Sequence, residues 1–325
     1  MDNLSRLLSL LAPTCSVNLH CRFTGRWDAD HPQQAAGIVP WHVILRGETR
    51  LIVGGKTFDV RAGDIILFPH GSPHLLQSLV DWGQVVPAQV NNNGIVTEVW
   101  TEGLGPAVEV LCGEFHFGPG YRWMFADETT LIHLHADEQH DVPELETLLG
   151  MLVRESLGGL PGSTSIVKGL ADTLLALILR ILLSLHEPPA GVLRLLSDTR
   201  LAPAILAVIA DPASPWTMES MAKRCFLSRA TFARHFSYSY HQTPQVWLNQ
   251  LRMVLAARLL SEEKNLTTER VAEQCGFLSL SSFSKAFKKT WGITPALHRK
   301  RGYSTTIAGN EPTEVDKING QQAEN

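Results

Sequence analysis

Hydrophobic and polar positions repeat with two different periods along this chain, and the period changes near residue 143. At the N-terminus, Leu4, Leu7, Leu8 and Leu11 fall on one face of a short helix that Pro13 ends. From Val17 to Leu134 the pattern is one of short strands between turn residues. His42–Arg46, Thr49–Val53, Thr57–Val60, Asp64–Phe68 and Val108–Phe117 are the clearest, and Gly54-Gly55 marks a tight hairpin. Such spacing predicts an all-β barrel or jelly roll, with residues 79–106 and their Asn91–Gly94 run as a long loop or insertion. Beyond Pro143 the period becomes helical. Glu144–Leu157 and the Leu- and Ile-rich Ser163–His186 read as helices, the second closed by Pro188-Pro189. Seven more follow: Leu201–Ala210, Met218–Cys225, Arg229–Ser237, Gln245–Ser261, Thr268–Cys275, Leu280–Thr290 and Ala296–Arg301, with Pro295 at the favoured first turn of the last. Residues 304–325 are polar and lack aromatics, which predicts a disordered tail.

Within the helical region a single pattern is written twice, at Met218–Phe236 and Thr268–Phe287. Each copy is a short helix with an apolar face, a tight turn and a second helix opened by a serine. This is the grammar of a helix-turn-helix, and two copies point to double-stranded DNA. Ser228 and Ser279 are the expected caps, and Gly276 permits a sharp turn. Phe232 and Phe236, like Phe277, Phe283 and Phe287, are expected to face inward. That leaves Arg229, Ala230, Ala233 and Arg234 outward in the first copy and Leu280, Ser281, Ser282 and Lys285 in the second. Arg234 is the strongest base-reading candidate, because its planar fork matches the two acceptors of guanine; Lys285 occupies the corresponding place. Arg229, Lys288 and Lys289 suit phosphates. Between the copies, Pro244–Ser261 reads as a rigid linker helix. A single basic side chain on a helix is usually just a solvated one. The same residue class at the same place in two copies favours the DNA reading.

Net charge, −4 overall, hides an asymmetry. Residues 201–303 carry 14 Lys and Arg against 6 Asp and Glu, while residues 1–200 carry 13 against 22. A basic module is joined to an acidic one that should avoid DNA. The start of the chain lacks a basic-then-apolar signal pattern, and the most apolar run, Leu174–Leu185, is interrupted by Arg180 and too short to span a bilayer. Five scattered cysteines do not form a secreted disulfide framework, so a reducing cytoplasm is the expected compartment.

The last hundred residues resemble the AraC/XylS family of bacterial transcription regulators. The segment Val271–Pro295 carries that family's signature nearly throughout, and the roles of Gly276, Phe277, Phe283 and Phe287 agree with it. Ala230, Ala233 and Leu280 replace larger polar residues common in the family, so thymine methyl contacts gain weight. In the N-terminal half, Gly63-Asp64 through Pro69, Gly71 and His74 resembles the second cupin motif, and Trp41-His42 before Arg46-Gly47-Glu48 is similar to a degenerate first motif. The fold expected is therefore an α+β multidomain chain: a cupin-like all-β sensor barrel at 1–142 with flanking helices, a helical coupling or dimerisation segment at 143–199, an all-α tandem helix-turn-helix domain at 200–303, and the tail. The resemblance implies a transcription regulator, an activator in the first instance, with promoter DNA, RNA polymerase and a small ligand or oxidant as partners and with homodimerisation through the sensor.

Metal-dependent cupins use His-x-His, a downstream glutamate and the second-motif histidine. Here Ile44 stands where the second histidine would be, so His42 and His74 are read as pocket residues, and no metal, cofactor or catalytic residue is expected. The competing class, a cupin dioxygenase or isomerase fused to a DNA-binding module, needs that missing set. A DNA-repair protein would need a methyl-accepting cysteine domain, which the cupin motif argues against. Two thiols complete the sensor candidates. Cys21 lies between His20 and Arg22, cations that would favour its thiolate, and Cys112 lies on a late strand that can return beside the first. Cysteines at such places, with the opening Met1–Leu8, resemble the oxidant-responsive regulators of this subtype. Cys15 is a conceivable resolving partner for Cys21.

Overall fold

The computed structural model describes residues 2–117, 121, 123–126, 129–135, 143–263 and 265–301. The tail expected at 304–325 lies outside them. The described residues divide into two compact units, one made of those within 13–116 and 130–178, the other of those within 1–12, 117–129 and 179–309.

The first unit is two β-sheets. Seven strands pair in the order β11-β6-β3-β10-β1-β9-β8, and four in the order β2-β7-β4-β5. These are β1 (Thr14–Phe23), β2 (Asp28–His31), β3 (Ile38–Arg46), β4 (Glu48–Val53), β5 (Lys56–Arg61), β6 (Ile65–Leu67), β7 (His74–Gln77), β8 (Gln89–Asn92), β9 (Thr97–Trp100), β10 (Val108–His116) and β11 (Ile132–Leu134). Alternation drives the assembly: Leu51 and Val53 of β4, Val60 of β5 and Leu76 of β7 meet Leu19 and Phe23 of β1, Ile44 of β3 and Val110 of β10 in one core. Gly54 and Gly55, at φ 56° and 74°, close the β4–β5 hairpin as two consecutive left-handed residues, the signature of a type I′ turn. The expected long loop at 79–106 contains β8 and β9, and β9 runs parallel to β1. The polar composition of β8, every residue of which is exposed, hides it from a hydrophobicity pattern. The Asn93 side chain closes the β8–β9 connection by accepting the N–H groups of Ile95 and Val96. Helices α2 (Pro143–Leu157) and α3 (Ser163–Ser184) follow, as the sequence predicts.

One irregularity matters for the cysteines. The β1–β10 ladder slips between Val17 and Leu19, a bulge that reverses which side of β1 the odd positions occupy. Cys15 therefore faces Asp172 of α3, where burial first and then the Asp172 carboxylate raise its thiol pKa well above the usual range. Cys21, beyond the bulge, points with Leu19 and Phe23 into the core between the sheets. The six-residue spacing suggests one face; the inserted residue puts the two thiols on opposite faces, so Cys15 does not serve Cys21 as a resolving partner.

The second unit is helical. It contains α1 (Asn3–Leu11), α4 (Val192–Ser197), α5 (Ala202–Ala210), α6 (Met218–Arg224), α7 (Arg229–Tyr240), α8 (Pro244–Glu262), α9 (Thr268–Gln274), α10 (Leu280–Trp291) and α11 (Pro295–Arg301). Helix α1, which precedes the strands in sequence, packs here on α5 and α8, and Arg258 Nη1 donates to the Ser9 carbonyl at 2.7 Å. Helix α8 is the hub, touching α7, α9, α10 and α11. Its Arg252 is buried but not orphaned: Nε donates to the Pro212 carbonyl and Nη2 to that of Ser214, both at 2.8 Å. Those bonds lock the segment entering the first helix-turn-helix.

His298 of α11 packs against Phe287 and Trp291 beside the Ser261 hydroxyl. Burial lowers its pKa below 6.5, with the Ala257 backbone partly offsetting. Below that pH the unfolded chain takes up a proton that the folded ring resists, so this contribution to stability falls as pH drops through 6.5. The loss is bounded by about 1.4 kcal/mol per pH unit. Urea titrations at pH 7.5 and 5.5 should show a smaller pH difference for His298→Gln than for the parent chain.

Candidate DNA-binding face and sensor pocket

The two helix-turn-helix copies correspond residue by residue when counted from their caps. Ser228 opens α7 by accepting the Thr231 N–H at 3.1 Å, and Ser279 opens α10 by accepting that of Ser282 at 3.2 Å. Counting from each cap, Phe232 matches Phe283 and Phe236 matches Phe287, and all four are fully buried. Arg234 then matches Lys285, six residues past the cap, and both are exposed. Arg229, Ala230, Leu280, Ser281, Ser282, Lys288 and Lys289 are exposed as well, and Ala233 is half-buried. The same counting pairs Lys288 and Lys289 with Ser237 and Tyr238. Tyr238, 75% exposed, thus extends the outward face of α7, a position that charge alone does not flag in the sequence.

The turns before α7 and α10 differ. Gly276 adopts φ 76°, and a Cβ there would sit 2.5 Å from the Ala213 carbonyl oxygen and 2.7 Å from Arg252 Nη2. Glycine is needed twice over, for the left-handed backbone and for the close approach. The first copy is one residue shorter and puts Phe226 in the left-handed position at φ 55°, with its ring 97% exposed. Cys225 and Cys275, just ahead of the turns, are buried free thiols whose pKa burial raises, Cys275 to about 12.

In the β-rich unit, His42 on β3 and Cys112 on β10 are direct ladder partners. His74 on β7 and His31 on β2 are partners in the opposing sheet. The four meet between the sheets, all more than nine-tenths buried. His31 escapes a motif-based reading, because it belongs to neither motif; the signal is the alternation Trp27, Ala29, His31, whose members are all buried.

Hydrogen bonding fixes the protons of this cluster. His74 Nδ1 lies 2.8 Å from the Ser72 carbonyl, and His31 Nδ1 lies 3.1 Å from that of Ala29. A carbonyl only accepts, so both rings carry the proton on Nδ1 and turn a lone pair on Nε2 inward. His42 Nε2 must then donate to His74 Nε2, 2.8 Å away, and His42 Nδ1 accepts from the Cys112 thiol at 3.0 Å. His74 also stacks with Phe68 and with His31, at ring-centre distances of 3.6 and 4.5 Å. Burial, followed by the neighbouring imidazoles, holds His42 well below the usual histidine pKa and His74 down to about 3. His42 and His74 are therefore neutral at physiological pH. Donor atoms of His31, His42 and His74 lie within 4.8 Å of one another, and three imidazoles are a set that can hold Zn²⁺.

Cys21 sits elsewhere in the ladder. It pairs with Val110, while Cys112 pairs with Leu19, so the two thiols are diagonal neighbours. The cations flanking Cys21 do not face it. Strand alternation sends His20 and Arg22 to the other side of β1, where His20 Nε2 donates to Glu109 at 2.6 Å and Arg22 lies 3.6 Å from Glu98. Cys21 is 5% exposed.

Two family models cover most of the chain: a Cupin model matches residues 2–184, and a Helix-turn-helix domain model matches residues 221–301. Among curated proteins, the HTH-type transcriptional regulator MtrA of Neisseria gonorrhoeae is 31% identical, covering 93% of this chain and 99% of that protein. The RCS-specific HTH-type transcriptional activator RclR of Escherichia coli K12 is 29% identical, covering 93% and 98%. A putative AraC-like transcription regulator of Streptomyces lividans is 30% identical, covering 92% and 98%. The chain belongs to this family of AraC-like, HTH-type transcriptional regulators with an N-terminal cupin domain. No helix among the described residues is long and apolar enough to cross a membrane.

Proposed function

We propose that the chain is a cytoplasmic transcription activator, not an enzyme, that reads promoter DNA with α7 and α10 and receives its signal in the cupin domain. The observation that carries this reading is the cap-to-cap equivalence of Arg234 and Lys285 on exposed faces, backed in both copies by buried phenylalanines. In this reading Arg234, Ala230, Ala233, Leu280, Ser281, Ser282 and Lys285 face base edges, and Arg229, Lys288 and Lys289 hold phosphates. The working division is a sensor at 1–142, a coupling and dimerising segment at 143–199 and the DNA-binding domain at 200–303. RNA polymerase and a second copy of the chain are the protein partners.

For the input, the buried cluster of His31, His42, His74 and Cys112 supports a small ligand or an oxidant acting inside the barrel. Cys112 has the stronger structural case of the two thiols, because an imidazole faces its sulfur. Cys21 retains its place in the same core. The RCS-specific relative favours an oxidant.

Genome-wide promoter occupancy with and without oxidant tests the whole reading. Enrichment at a small set of promoters, with transcription rising in a signal-dependent way, is expected. Occupancy without promoter preference would overturn it. Stoichiometric iron in the purified chain together with oxygen consumption would instead revive the dioxygenase alternative.

A further inference from the structure

A second group of donor side chains lies away from the buried histidine pocket, at the edge of the seven-stranded sheet. His133 lies on edge strand β11 and His135 immediately beyond its end. Strand β11 runs antiparallel to β6 with Leu134 opposite Ile65, which brings the residue after β11 near Asp64, the residue before β6. The donor atoms of Asp64, His133 and His135 lie within 4.8 Å of one another. His133 Nε2 is 2.9 Å from Asp64 Oδ2, and His135 Nδ1 is 3.8 Å from Oδ1. The two imidazole centres are 3.8 Å apart.

Some of this arrangement is structural. Asp64 Oδ2 accepts the Arg61 N–H at 3.1 Å and so secures the tight connection between β5 and β6. One histidine suffices to partner that carboxylate. The second imidazole, held beside the first with its Nδ1 toward the other carboxylate oxygen, is what a structural pair does not require. Exposure rises across the group from 1% at Asp64 through 11% at His133 to 61% at His135. A buried carboxylate and two imidazoles, the outer one exposed among the described residues, together form three protein ligands.

We propose that Asp64, His133 and His135 bind a borderline divalent transition metal, with Zn²⁺ as the best-matched ion. Two nitrogens and one carboxylate oxygen suit Zn²⁺ and Fe²⁺ and are too few and too soft for Ca²⁺ or Mg²⁺. At Zn–N and Zn–O lengths of about 2.1 Å and tetrahedral angles, neighbouring donors stand about 3.4 Å apart. The 3.8 Å separation of His135 from Asp64 then closes by rotation of an exposed side chain, with no movement of the sheet. The ion replaces the proton that His133 Nε2 shares with Asp64 and ties β11 to the start of β6.

Zn²⁺ titration of the full chain against a chromophoric chelator tests this, performed in the His74→Gln background so that the buried imidazole cluster does not contribute. One equivalent of Zn²⁺ is expected, and adding His135→Ala should weaken it by at least about tenfold. Co²⁺ added to the His74→Gln chain should give the intense visible absorption of a tetrahedral site, lost on adding His135→Ala with the far-ultraviolet circular dichroism unchanged. Equal Zn²⁺ affinity with and without His135, or no uptake at all in the His74→Gln background, would overturn the site.

Discussion

Arg234→Ala is expected to lower affinity for the specific operator by roughly five- to a hundred-and-fiftyfold, corresponding to about 1–3 kcal/mol, while affinity for random DNA changes little. Position is the reason. Ser228 fixes the start of α7, Phe232 and Phe236 fix its rotation, and Arg234 lies on the opposite, exposed side. In the proposed role, a guanidinium there would present two parallel donors to one guanine edge. Lys288→Ala and Lys289→Ala should behave differently. Each should weaken specific and random DNA alike and reduce the slope of log affinity against log salt by about 0.9. Binding isotherms on operator and random duplexes at several salt concentrations separate the two behaviours. A uniform, salt-dependent loss from Arg234→Ala would make it a phosphate contact.

Gly113→Ala should destabilise the β-rich unit by about 3 kcal/mol or more. A Cβ at this position would lie 2.1 Å from the Ser16 carbonyl oxygen and 2.3 Å from the Trp41 ring. Neither neighbour can yield cheaply. The oxygen belongs to the β1 backbone, and Trp41 is fully buried and stacked against Phe115. Gly54→Ala is the control, since its φ of 56° is strained for alanine but its Cβ meets nothing within 4 Å. About 1 kcal/mol is expected there. Denaturant titration followed by tryptophan fluorescence compares the two; equal losses would show that backbone strain, not crowding, sets the effect at Gly113. Because Gly113 follows Cys112 in β10, the pocket histidines should be disturbed with it.

Much of the helical unit is legible in sequence because its determinants are local. A capping serine, phenylalanines four residues apart and Gly276 in the turn each act within one or two helical turns, and the helix bounds follow. The sensor pocket depends instead on which strands meet. His42 and His74 stand out through the cupin motifs, but His31 joins them only because β2 pairs with β7, a contact between segments more than forty residues apart. The side of β1 on which Cys15 lies depends on a bulge that no periodicity announces. The orientation of His20 and Arg22 away from Cys21, by contrast, is available from period-two alternation alone. Weighing sequence neighbours as spatial neighbours obscures it. Likewise β8 passes for a loop because its residues are mostly polar and all exposed, and β9 because it is only four residues long, while the hydrogen-bond ladder that defines them is invisible in composition.

The matching scaffolds of α7 and α10 carry unlike outward residues. Buried phenylalanines and capping serines recur at matching places in both helices while the exposed positions differ, alanines around Arg234 in one copy and leucine and serines around Lys285 in the other. On the proposed reading, the two helices of a single chain favour dissimilar DNA elements in a set order, so that the bound helical unit would have a head and a tail along the duplex.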